Sequence, residues 1–89
     1  MKEAYLEVTF RHGRPLAAYL YLPRQPDDKS HHTSRVEPGL VIDFNQSGSP
    51  IGIEITAPSK ISISALNEVL EALGQRGVTP ADLAPLRAA

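Results

Sequence analysis

Apolar and polar residues alternate along much of the first 57 positions of this 89-residue chain, and beyond them the apolar spacing lengthens to that of a helix. In Tyr5 to Phe10, Leu6, Val8 and Phe10 point one way while Tyr5, Glu7 and Thr9 point the other. This period of two predicts a strand with one buried face. Leu16 to Leu22 repeats it, with Leu16, Ala18, Leu20 and Leu22 on one side and Ala17, Tyr19 and Tyr21 on the other. Gly13 between the two supplies the turn, so they form a hairpin. A short strand is expected from Thr33 to Val36, ended by Pro38 and Gly39. A second hairpin follows over 39–55: Leu40, Ile42 and Phe44, then turn residues Asn45 to Gly48, then Ile51, Ile53 and Ile55. Gly52 interrupts that last run in mid-strand, which signals a bulge or a close approach to the backbone.

The period changes after Pro58. Leu66, Val69, Leu70 and Leu73 form the stripe of an amphipathic helix over about 64–73, with Ser62 or Ser64 as its cap, Gly74 as its end, and Asn67, Glu68 and Glu71 toward water. Thr79, Pro80 and Asp82 mark the start of a short helix over about 80–84, which Pro85 stops. The expected fold is α+β: an antiparallel β-meander of four to five strands over 4–57, packed on one amphipathic helix and followed by the short C-terminal helix, as a single domain over 1–89. Its core comprises Leu6, Val8, Phe10, Leu20, Ile42, Phe44, Ile53, Ile55, Leu66, Val69, Leu70 and Leu73. Residues 23–33, rich in proline and polar groups, form an exposed and mobile loop.

The second hairpin also carries a family likeness. The residues Gly39-Leu-Val-Ile-Asp-Phe-Asn45, then Gly48, then Gly52-Ile-Glu-Ile55, together with Ala18-Tyr-Leu-Tyr-Leu22, resemble the DUF2283 family of small bacterial and archaeal proteins, over about residues 4–60. The resemblance implies a compact β-meander and no reaction. Members of this kind are often encoded beside small toxin-like proteins, which implies an antitoxin-like or accessory role. The segment 23–33 is longer than the family's usual connection, and the C-terminal helices look like an extension found in part of it.

Composition narrows the function classes. There is no cysteine, so neither a disulfide nor a thiolate metal site supports so small a core. The net charge is -1, which gives no general attraction to phosphate backbones, and nucleic acid is not an expected partner. A DNA-binding reading requires Arg11, Arg14, Arg24 and Arg35 to converge on one surface. No apolar run spans a membrane, and the acidic Glu3 and Glu7 stand where a secretory leader is apolar, so the expected location is cytoplasmic and no membrane is expected as a partner.

The chemistry-bearing residues form no catalytic constellation, and no catalytic residue, metal ligand or cofactor is assigned. His31 and His32 adjoin Asp27 and Asp28, but neighbouring side chains on extended backbone diverge. Asp43 and Glu54 fall on the outward side of the second hairpin; as an acid–base pair they would make a hydrolase, which needs a pocket around them. Tyr5, Tyr19 and Tyr21 share one face of the first hairpin, an apolar surface with polar tips that suits an interface. The expected function is therefore a non-enzymatic protein-interaction or regulatory module, joined to a protein partner or to copies of itself. An antitoxin-like DNA- or partner-binding regulator and the Asp43/Glu54 hydrolase are the alternatives.

Overall fold

The computed structural model describes residues 4–36 and 39–87. They form a five-stranded antiparallel sheet, a helix and a short second helix. The strands are β1 (Tyr5–Arg11), β2 (Arg14–Tyr21), β3 (His32–Val36), β4 (Leu40–Phe44) and β5 (Pro50–Ile55). A 3₁₀ turn, Pro58–Lys60, leads to α1 (Ile63–Ala72), and α2 spans Ala84–Arg87. Pro38, expected to end the third strand, lies outside the described residues.

The expected meander is corrected. The spatial order is β1-β2-β5-β4-β3, so β5 lies at the centre and pairs with both β2 and β4. The chain leaves β2, crosses to the far edge as β3, and returns by two short turns. Segment 22–31 provides the length for this crossing, and β5, buried at Ile51, Gly52, Ile53 and Ile55, is the strand with most to gain from two neighbours.

That crossing segment is bonded in place. Arg24 Nη2 donates to the Asp28 carbonyl at 2.8 Å, Gln25 N to Asp28 Oδ2 at 3.0 Å, and Asn45 Nδ2 to Asp28 Oδ1 at 3.1 Å. The expected free loop is thus tied through Asp28 to the β4–β5 turn. These hydrogen bonds, first that of the Gln25 backbone, hold the Asp28 carboxyl below its ordinary value of 3.8. The turn itself is organised by Asn45, whose Oδ1 accepts from Ser49 N and Ser47 Oγ, both at 2.9 Å.

The buried cluster joins Ala18, Leu20 and Leu22 with Leu40, Ile42, Ile53 and Ile55, and includes Ile61, Leu66, Leu70, Leu83 and Leu86. Leu6, Val8, Phe44, Val69 and Leu73 pack at its margin. Phe10 is a correction: it is 48% exposed. Leu16, expected on the buried face, is 52% exposed. Two causes act together. The pairing of β2 with β5 covers only Ala18 to Tyr21, so the outer part of the first hairpin runs past the sheet. A register shift between Thr9 and Phe10 also leaves Leu16 as an extra residue on β2, which breaks its alternation.

Ser62 caps α1, its Oγ accepting from Ala65 N at 3.0 Å. Gly74, at φ 72, ends it in the left-handed conformation, with Gln75 N donating back to Leu70 O at 2.8 Å. Asn67 does not face water as expected. Its side chain grips the Val78 backbone, accepting from Val78 N at 2.7 Å and donating to Val78 O at 3.0 Å. Thr79 and Asp82 exchange the two bonds of a capping box, but these close a turn, and the helix itself begins at Ala84. Pro85 therefore lies in the first turn of α2, where its missing N–H leaves no bond unmade, and does not stop a helix over 80–84.

Candidate functional site: the tyrosine face of the sheet

The registers place two rows of side chains across the face turned away from the core. One row runs Tyr5, Tyr21, Gly52, Asp43 and Thr33 from edge to edge. The next runs Glu7, Tyr19, Glu54, Val41 and Arg35. Tyr5, Glu7, Glu54, Thr33 and Arg35 are exposed, while Tyr19, Tyr21, Val41 and Asp43 are half-buried.

The three tyrosines form a continuous array. Tyr5 and Tyr21 stack with ring centroids 4.4 Å apart and planes 15° apart. Tyr21 meets Tyr19 edge-on at 4.6 Å and 65°. The Arg24 guanidinium lies 5.9 Å from the centre of the Tyr21 ring.

Tyr19 is the fixed member of the array. It sits on β2 yet reaches across β5 to β4, where its Oη donates to Asp43 Oδ2 at 2.6 Å. The crossing passes over Gly52. A Cβ at that position would collide with the Tyr19 ring and hydroxyl. The glycine signals a close approach, as its mid-strand position suggests, and what approaches is a side chain. The register irregularity of this hairpin lies between Asp43 and Phe44, with Ile51 as the extra residue. Burial first, then the hydrogen bond and charge of Asp43, raise the Tyr19 phenol well above its ordinary 10.0. Desolvation and the Glu7 carboxylate raise Tyr21 as well, across a long 3.5 Å contact.

Asp43 and Glu54 do share this face, on diagonal positions of adjacent strands. Asp43 is engaged by Tyr19, and Glu54 is exposed. Neither lines either of two hollows on the surface. One, of about 400 Å³, lies between the start of β1 and segment 75–83, with Leu6, Leu20, Arg76, Asp82 and Leu83 on its walls. The other, of about 500 Å³, opens between residues 27–31 and the β4–β5 turn. His31 lines it, whereas the His32 ring stacks on Phe44 at 4.8 Å. Among the described residues no three His, Cys, Asp or Glu side chains gather as a metal site. The four arginines do not converge. Arg11 and Arg14 face each other at the β1–β2 turn, Arg35 lies on the opposite edge strand, and Arg24 bonds to backbone carbonyls of Ile51 and Asp28.

Sequence reasoning found the tyrosines and Asp43 but not their connection. The signal present in the sequence is Gly52, an otherwise costly residue in mid-strand.

This geometry defines a small α+β domain with one aromatic, acid-flanked sheet face. The family model of DUF2283, a protein of unknown function, matches residues 17–58. The match runs from within β2 through β5 to the start of the 3₁₀ turn, while β1 and both helices lie outside it. No curated protein and no solved structure matches the chain. Among the described residues no helix is long and apolar enough to cross a membrane.

Proposed function

We propose that this protein is a non-enzymatic interaction module whose working surface is the tyrosine face, with α1 covering the opposite, inner face of the sheet. The observation that carries this reading is the mutual support of Tyr5, Tyr21 and Tyr19, the last tethered to Asp43 across Gly52. Aromatic rings already held in place lose little conformational entropy on binding, which favours their use as anchors. Glu7 and Glu54 add exposed carboxylates beside the rings, so the surface suits a partner that presents lysine or arginine. A face-to-face pair of identical sheets centred on β5 would oppose the two Glu54 side chains. This favours a different protein over a second copy. An antitoxin-like role is the regulatory form of the same reading, with protein and not DNA as the bound partner.

Co-purification from the native host tests the proposal. The wild-type chain is expected to retain a stoichiometric protein partner. Tyr5→Ser combined with Tyr21→Ser is expected to lose it, and Glu68→Ser combined with Glu71→Ser on α1 to keep it. A partner lost with the α1 variant and kept with the tyrosine variant would overturn the assignment.

A further inference from the structure

We infer that the β1–β2 hairpin tip is a second, separate contact surface, built to touch an anionic phospholipid bilayer. The three exposed large hydrophobic side chains among the described residues are Tyr5, Phe10 and Leu16, and two of them belong to this tip. Phe10 and Leu16 are 48% and 52% exposed on a ribbon that β5 does not reach. Arg11 and Arg14 stand opposite each other between them, around the His12-Gly13 turn. Both turn residues have positive φ, 53 and 76, the conformation of a tight two-residue hairpin loop.

Charge argues for what this tip meets. Residues 9–17 carry Arg11 and Arg14 and no acidic group, whereas the seven other basic and ten acidic residues leave the rest of the chain at -3. An anionic surface therefore attracts the tip and repels the body, which orients the molecule tip-first. The apolar pair separates a bilayer from a nucleic acid. Phe10 and Leu16 find an apolar phase at the acyl boundary, whereas a duplex would have to be unstacked to receive them. Two identical tips repel each other. A single tip of this size supports weak, reversible attachment, of the order of millimolar lipid.

Vesicle sedimentation with the full chain tests this. At low salt the wild type is expected to pellet with vesicles of phosphatidylcholine mixed with phosphatidylglycerol, but not with phosphatidylcholine alone. Arg11→Gln with Arg14→Gln is expected to lower the partition coefficient about tenfold or more. Phe10→Ser with Leu16→Ser is expected to lower it comparably, with circular dichroism unchanged because both residues are exposed. Lys29→Gln, away from the tip, is expected to leave it unaltered. The inference is overturned by no pelleting with the anionic vesicles, or by pelleting that survives the Phe10/Leu16 change. Tighter capture of a duplex oligonucleotide overturns it too, as does self-association that the tip variants abolish.

Discussion

At the scale of single residues, Gly52, Tyr19 and Asp43 form one device on three adjacent strands. A methyl at position 52 occupies the space of the Tyr19 ring. Gly52→Ala is therefore expected to destabilise the fold by about 1–3 kcal/mol in urea unfolding, because the ring must leave Asp43. In a Tyr19→Ala background the sign should reverse, with alanine stabilising by roughly 0.5–1 kcal/mol over glycine in a strand. Equal losses in both backgrounds would show that the ring is not the obstacle. The raised phenol gives a pH test. A proton bound more tightly in the folded state contributes stability that is fully present below the unfolded tyrosine value of 10.0 and is lost as pH rises above it. The urea midpoint should fall above about pH 10, and fall less steeply in Tyr19→Phe. Gly52 and the tyrosines were legible in the sequence. The bond between Tyr19 and Asp43 was not, because it depends on which strand lies between them.

At the scale of elements, period two found the strands and period 3.6 found α1, since burial on one face writes itself into the order of residues. The order of strands was hidden, because alternation says which face is buried and nothing about which neighbour pairs. Both register shifts were hidden too, and with them the exposure of Leu16. Residues 23–33 read as an exposed, mobile loop because their polar residues find partners far along the chain, at Asn45 and at the Ile51 carbonyl. The lowered Asp28 carboxyl contributes stability that is present above its unfolded value of 3.8 and is lost as pH falls through the folded value. Asp28→Ala should accordingly speed proteolysis within 22–31 at neutral pH and flatten the acid limb of the stability profile. Asn67 similarly holds the segment leading to Leu83 and Leu86, two core residues that the interrupted C-terminal pattern concealed. Asn67→Ala is expected to cost about 1–3 kcal/mol, since it leaves both backbone groups of Val78 without their partner. Hydrogen exchange should then quicken through 78–87 before it changes in β5.

At the scale of the whole molecule, the sheet separates two surfaces by chemistry. Its inner face is closed by aliphatic residues, and its outer face presents supported aromatic rings among carboxylates. The hairpin beyond the sheet carries the opposite charge and exposed apolar groups. Composition alone averaged these regions into a nearly neutral chain. The most direct test of the tyrosine face is site-specific photocrosslinking in the native host. A photoreactive side chain replacing Glu54, at the centre of that face, is compared with one replacing Glu71 on the exposed side of α1. A discrete heterologous protein adduct at position 54, absent at 71, is the predicted result. Adducts at 71 with none at 54 would contradict it.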